Sequence, residues 1–171
     1  LVEAHLLYYI CKMFRNFGLI LIAFLTLFAM ASCEGDKLLV LTNQEEQIDS
    51  YISKEFPDNE VLRLDGANRI IIKSGSGPQA AIGDSIKFIY EAYLFSGRPV
   101  GMFWSDSANV VLGSRDLVEG LNRGMEGMHL GEQSIILFSA KYGFYDRNTG
   151  IVPSMSALMY NVLLTGIQKN N

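Results

Sequence analysis

The chain has 171 residues, room for one domain of ordinary size plus an appendage, and its 14 basic and 18 acidic residues form no basic cluster. That balance excludes the electrostatic footprint of a nucleic-acid binder. Two histidines, His5 and His129, and two cysteines, Cys11 and Cys33, have no metal-ligand spacing, so neither a metal nor a nucleic-acid partner is expected.

Residues 17–32 carry no charge and are almost wholly apolar. From Met13 the chain reads MFRNFGLILIAFLTLFAMASC: a basic residue near the start, an apolar run, then small residues before Cys33. This is the layout of a bacterial export signal. Residues 1–12 then read as an upstream start, with Met13 as the first residue. The run of sixteen residues falls short of the roughly 20 that a membrane span needs. Met30-Ala31-Ser32-Cys33 resembles the lipobox of bacterial lipoproteins, with Met30 where leucine is usual. The resemblance implies acylation of Cys33 and a cell-envelope protein held at the membrane by lipid, facing the periplasm or the cell surface. A plain secretory signal is the alternative. With Cys33 acylated, no disulfide remains open to the mature chain. Loss of Glu3, Lys12 and Arg15 takes its net charge from −4 to −5.

In chain order, Leu38-Leu39-Val40-Leu41-Thr42 reads as a short strand. Residues 45–56 follow as a helix that Asn43 can cap. Ile48, Ile52 and Phe56 recur every four residues on one side, and Pro57 stops it. Strands over 61–64 and 69–73 flank the turn Asp65-Gly66-Ala67-Asn68. Residues 33–73 thus form a tether and a small helix-and-hairpin extension, and 74–168 the main domain. Ser74-Gly75-Ser76-Gly77-Pro78 is no phosphate cradle, because it carries no lysine and leads into a strand. That strand spans 85–94, and residues 100–111 read as irregular. The stretch LVEGLNRGMEGMHLGE at 117–132 sets Leu117, Val118, Leu121, Met125 and Met128 along one helical face. Its glycines at 120, 124, 127 and 131 each cost about 1 kcal/mol in a helix interior, so several must be stops or points of close approach. A strand over 134–139, a loop over 142–156 and a closing strand over 158–167 complete an α+β chain.

The chemistry is sparse. There is no GxSxG, the serines near Gly75 have no histidine to act as base, and Asp84 and Asp116 read as turn and cap residues. Aromatic and branched side chains stand out instead: Tyr90, Tyr93, Phe103, Trp104, Tyr142, Phe144, Tyr145, Ile151, Val152 and Tyr160. Most are expected in the core. Phe103, Trp104, Phe144 and Tyr145 fall in expected loops, where large aromatics line pockets.

Four blocks in order carry a family resemblance: GSGPQAAIGDSIKFIYEAYLFSG, VLGSRDLVEGLNRGMEGMHLGEQ, KYGFYDRNTGIVP and SALMYNVLLTGI. Over about residues 75–167 the chain resembles the FK506-binding (FKBP) family of peptidyl-prolyl cis-trans isomerases. The resemblance implies a bent antiparallel sheet wrapped on one short helix, an apolar pocket between them, proline-containing polypeptides as partners, and no cofactor. It implies substrate-binding roles for Tyr90, Phe103, Leu117, Val118, Leu121, Phe144, Ile151, Val152 and Tyr160, with Leu121 as the pocket floor. Two positions depart from the family pattern. The loop tyrosine whose hydroxyl meets the substrate carbonyl falls on Phe144, with Tyr142 and Tyr145 as candidate substitutes. The Phe-Asp wall falls on Phe103-Trp104, or on Val100-Gly101 without a gap, and either way lacks its aspartate, Asp106 being the nearest. The expected function is a lipid-anchored prolyl isomerase assisting the folding of exported proteins. The alternatives are a catalytically weak polypeptide-binding or chaperone module of the same fold, or a purely structural envelope lipoprotein.

Overall fold

The computed structural model of the chain describes residues 35–103 and 110–170, without the side chains of 102 and 103. Cys33, Trp104 and Asp106 lie outside the described residues. The chain divides into compact units at residues 1–39 and 40–171, and the second carries the whole sheet.

Residues 35–55 are helical (α1), so the strand expected over 38–42 is a correction. A short apolar run does not by itself distinguish strand from buried helix. Here Leu41 stands one heptad before Ile48, and Leu41, Ile48 and Ile52 are the buried stripe of one helix, while Leu38, Leu39 and Val40 stay exposed. The strands are β1 (Val61–Leu64), β2 (Ala67–Lys73), β3 (Ser85–Leu94), β4 (Pro99–Phe103), β5 (Val110–Val111), β6 (Gln133–Phe138) and β7 (Leu158–Gln168), with α2 (Glu119–Met125) between β5 and β6. Neighbouring strands are antiparallel in the order β1-β2-β6-β7-β3-β4, and β5 pairs with β3. Two details sharpen the sequence reading. The segment expected to be irregular after residue 99 contains β4, in which Phe103 pairs in register with Tyr90. The hairpin read as an extension belongs to the sheet, because β2 hydrogen-bonds to β6. Its turn is two residues, Asp65 and Gly66, both at positive φ, as a tight hairpin with right-handed strand twist requires.

Strand alternation divides the apolar residues between two faces. On β6, Ile136 and Phe138 enter a cluster with Leu121, Met125, Leu158, Tyr160 and Val162 on the α2 side. Ile135 and Leu137 enter another with Ile48, Ile52 and Ile70 on the α1 side. The glycines of the 117–132 stretch serve two purposes. A Cβ on Gly120 would stand 2.3 Å from the ring of Phe138, and one on Gly124 would stand 2.3 Å from Ile136. The helix lies that close to the sheet. Gly127 and Gly131 have positive φ and turn the chain back toward β6.

A buried ion pair holds the end of α2 to the sheet. Arg69 on β2 donates to the carbonyls of Gly124 (3.1 Å) and Glu126 (2.7 Å), and its Nε lies 3.5 Å from Glu132. Glu132 accepts from the His129 backbone N–H and the Ser134 hydroxyl. Burial pushes the Arg69 guanidinium down, and Glu132 opposes that shift.

Candidate functional site

Where α2 begins, the sheet and the β6–β7 loop enclose a cavity of about 650 Å³. Leu121, Phe88 and Tyr160 line its buried part, Tyr90, Leu117 and Val118 its walls, and Gly143 and Phe144 the loop side. The rim is charged: Arg115 and Asp116 precede the helix, Glu119 is on its first turn, and Arg147 is on the loop.

Local sequence explains the placement. The N-cap position is Val118, which makes no side-chain cap. Asn122 ties down the entry instead, accepting from the Gly113 N–H at 2.7 Å and donating to the Ser114 carbonyl at 2.9 Å and the Leu117 carbonyl at 3.3 Å. Residues 115–118 are thereby held against the cavity. On the sheet side, Phe88 and Tyr90 share a strand face. Tyr90 and Tyr160 come together across β3 and β7, ring centroids 5.6 Å apart, and Tyr160 stacks on Phe138 at 5.7 Å. Burial, with a lesser contribution from Tyr90, raises the Tyr160 phenol to about 12. It stays a neutral hydroxyl throughout the physiological range.

Six of the nine residues expected at the site line this cavity: Tyr90, Leu117, Val118, Leu121, Phe144 and Tyr160. Ile151 does not. It is 64% exposed, and its carbonyl accepts from Arg98. Val152 does not either, being packed in the core with its backbone bonded to Thr149. The path of the loop turns Val152 inward and leaves its neighbour Ile151 outside. Phe103 opposes Tyr90 in the sheet, and its side chain lies outside the described residues. The tyrosine substitutes for Phe144 fall elsewhere. Tyr142 packs over Gly66, where a Cβ would overlap its ring, and lines a second cavity of about 480 Å³ with Asp65 and Asn68. Tyr145 is 38% exposed and at positive φ. Sequence reading missed Phe88, two positions before Tyr90 on the same strand face, and the charged rim, of which Arg115, Asp116 and Glu119 were signalled only by closeness to Leu117 and Val118, and Arg147 not at all.

Among the described residues, the lining of this cavity contains no serine, cysteine, histidine or lysine. Of its charged groups, Glu119 is committed to Arg123, which also pairs with Asp65 and lies 5.2 Å above the Tyr142 ring. Among the described residues no group of His, Cys, Asp and Glu could hold a metal. No described helix is long and apolar enough to cross a membrane. An enclosure with an apolar floor, two phenol rings and a charged mouth suits binding and conformational change of a chain segment better than bond-breaking chemistry.

The family model of FKBP-type peptidyl-prolyl cis-trans isomerases matches residues 77–165, more than half of the chain. This chain belongs to the FKBP family. Its enzyme class is that of a peptidyl-prolyl cis-trans isomerase. FK506-binding protein 1 of Aspergillus oryzae is 29% identical over 114 residues, 60% of this chain and 98% of that protein. A peptidyl-prolyl cis-trans isomerase of Schizosaccharomyces pombe is 28% identical over 106 residues, 60% of this chain and 95% of that one. Among solved structures, the peptidyl-prolyl cis-trans isomerase from Pseudomonas syringae pv. tomato superposes with a TM-score of 0.66 at 14% identity, covering 77% of this chain and 95% of that chain. The fold is the FKBP fold, with α2 and the Tyr90–Tyr160 face enclosing the cavity.

Proposed function

We propose that this FKBP-family protein accelerates cis–trans rotation about X-Pro bonds in exported polypeptides while tethered to the cell envelope by lipid on Cys33. The observation that carries the catalytic part is the cavity floor of Leu121, Phe88 and Tyr160, with the charged groups among the described lining residues, Arg115, Asp116, Glu119 and Arg147, kept to the rim. Rotation faces a barrier of about 18–20 kcal/mol because the amide is resonance-stabilised and charge-separated. A twisted amide has lost that resonance and much of that polarity, so a dry apolar site penalises the planar ground state more than the twisted transition state. The proline ring fits among Leu121, Val118 and the aromatic faces, and flanking residues extend over the charged mouth. The substrate class suits a folding role, since X-Pro isomers differ by about 1 kcal/mol or less yet exchange over tens of seconds or longer.

A second reading is a polypeptide-binding module with weak catalysis. Phe144, which has no hydroxyl to offer a twisted carbonyl, is the observation that favours it. NMR exchange spectroscopy on an Ala-Leu-Pro-Phe peptide separates the two: the isomerase reading expects faster exchange with catalytic amounts of protein. Binding without acceleration supports the module and overturns the enzyme reading. For the anchor, radiolabelled palmitate is expected in the wild-type chain and not in Cys33→Ala. Equal labelling of the two, or none in either, contradicts lipidation at Cys33.

A further inference from the structure

The loop wall of the cavity is closed by a ring of hydrogen bonds with one member from outside the loop. The Ala140 N–H donates to Gln44 Oε1 at 2.9 Å. The Tyr145 N–H donates to the Ala140 carbonyl at 2.8 Å, and the Met155 N–H to the Tyr145 carbonyl at 2.6 Å. Gln44 Nε2 then donates to the Met155 carbonyl at 2.7 Å, completing the circuit. An N–H on one side and a carbonyl on the other leave a single orientation for the Gln44 amide. Tyr145 and Met155 both hold positive φ, 53° and 54°, which non-glycine residues adopt only when their surroundings enforce it. Gly143, Phe144 and Arg147, the loop residues that line the cavity, lie between the two points that Gln44 grips.

We propose that Gln44, on α1, is a positioning residue for the cavity, its amide closing the loop that carries Phe144 and Arg147. Its effect on turnover rests on the isomerase reading above; its effect on the loop does not. α1 is anchored independently through Ile48 and Ile52 to the opposite sheet face, so the amide is presented from a fixed support. Opening the circuit at Gln44 leaves the Ala140 N–H and the Met155 carbonyl without these partners.

The test compares wild type, Gln44→Ala and Gln44→Glu by amide hydrogen exchange and by the peptide exchange assay. Alanine keeps the helix. The glutamate still accepts from Ala140 but cannot donate to Met155, so it opens the circuit at one point. The Tyr145 and Met155 amides are expected to exchange about tenfold faster in Gln44→Ala, as loss of one or two net hydrogen bonds implies. Gln44→Glu, which sets a carboxylate oxygen against the Met155 carbonyl, should accelerate Met155 at least as much, with β3 and β7 amides unchanged in both. The peptide KM should rise several-fold while kcat moves less. Unchanged exchange at Tyr145 and Met155 overturns the proposal, as does acceleration spread equally over β3 and β7. A wild-type chain that fails to catalyse overturns the isomerase reading instead, and the exchange data still decide the role of Gln44.

Discussion

The two faces of the sheet bury their apolar residues by opposite means. On the α1 side, a helix of more than four turns fills the space with large side chains, Ile48 and Ile52 against Ile70 and Leu137. On the α2 side, a helix of seven residues comes so close to the sheet that Gly120 and Gly124 have no room for a methyl group. The first face is packed by volume, the second by approach. The difference bears on function, because a short helix pressed onto the sheet covers only part of a wide concave face and leaves the cavity at its N-terminal end. The longer helix borders the smaller cavity beside Ile48 and Tyr142. Through Gln44 it also supports the loop that completes the larger one opposite.

This contrast can be broken from either side. The largest effect is expected from Glu132→Gln, which leaves Arg69 buried without its counter-charge; removing one partner of a buried pair costs about 3–5 kcal/mol. Urea unfolding should show it as a lower midpoint. A paired comparison comes next. Ile52→Ala hollows the α1 face and should cost about 2–5 kcal/mol, whereas Gly120→Ala overfills the α2 face and should cost about 1–3 kcal/mol despite its gain in helix propensity. If Gly120→Ala stabilised the protein, close approach would be the wrong explanation of that face. The smallest effect belongs to the start of β3, where Asp84 accepts from Lys169 and from the Ala81 N–H, both at 2.8 Å. The hydrogen bond from Lys169, then that from Ala81, hold its carboxyl below the ordinary range. A depressed carboxylate stabilises the fold fully above its unfolded value of about 3.9. That contribution is lost as the pH falls through the lower folded value. Asp84→Asn should remove this acid dependence, measured as the change in unfolding midpoint between pH 6 and pH 3.

What was legible in the sequence was mostly local. Strand β3 could be read from the turn-forming residues before it, the hairpin from Asp65-Gly66, and α2 from its apolar face and glycine punctuation. The pocket wall at Leu117, Val118 and Leu121 came from the family resemblance, and the structure places Leu117 and Val118 just before α2 and Leu121 on it. What could not be read was decided by partners distant in the chain. Leu38 to Thr42 has strand composition, but the buried stripe that makes it helix begins at Leu41 and continues through Ile48 and Ile52, which pack against Ile70 of β2 and Leu137 of β6. Ile151 and Val152 are adjacent, yet one is solvent-exposed and the other core, which only the path of the loop determines. Gln44 carries no sequence signal at all, since its partners lie 96 and 111 positions away. The pairing of Arg69 with Glu132 was invisible for the same reason.

Everything proposed for activity depends on an X-Pro segment binding in the cavity between α2 and the Tyr90–Tyr160 face. A titration of the isotope-labelled protein with the Ala-Leu-Pro-Phe peptide, followed by amide and methyl NMR, tests this without intermediaries. The largest shifts are expected at Val118, Leu121 and Phe144 and on β3 and β7 around Tyr90 and Tyr160, with the α1 residues Ile48 and Ile52 unmoved. Shifts centred on the second cavity around Tyr142 and Asn68, or none at saturating peptide, would refute binding there.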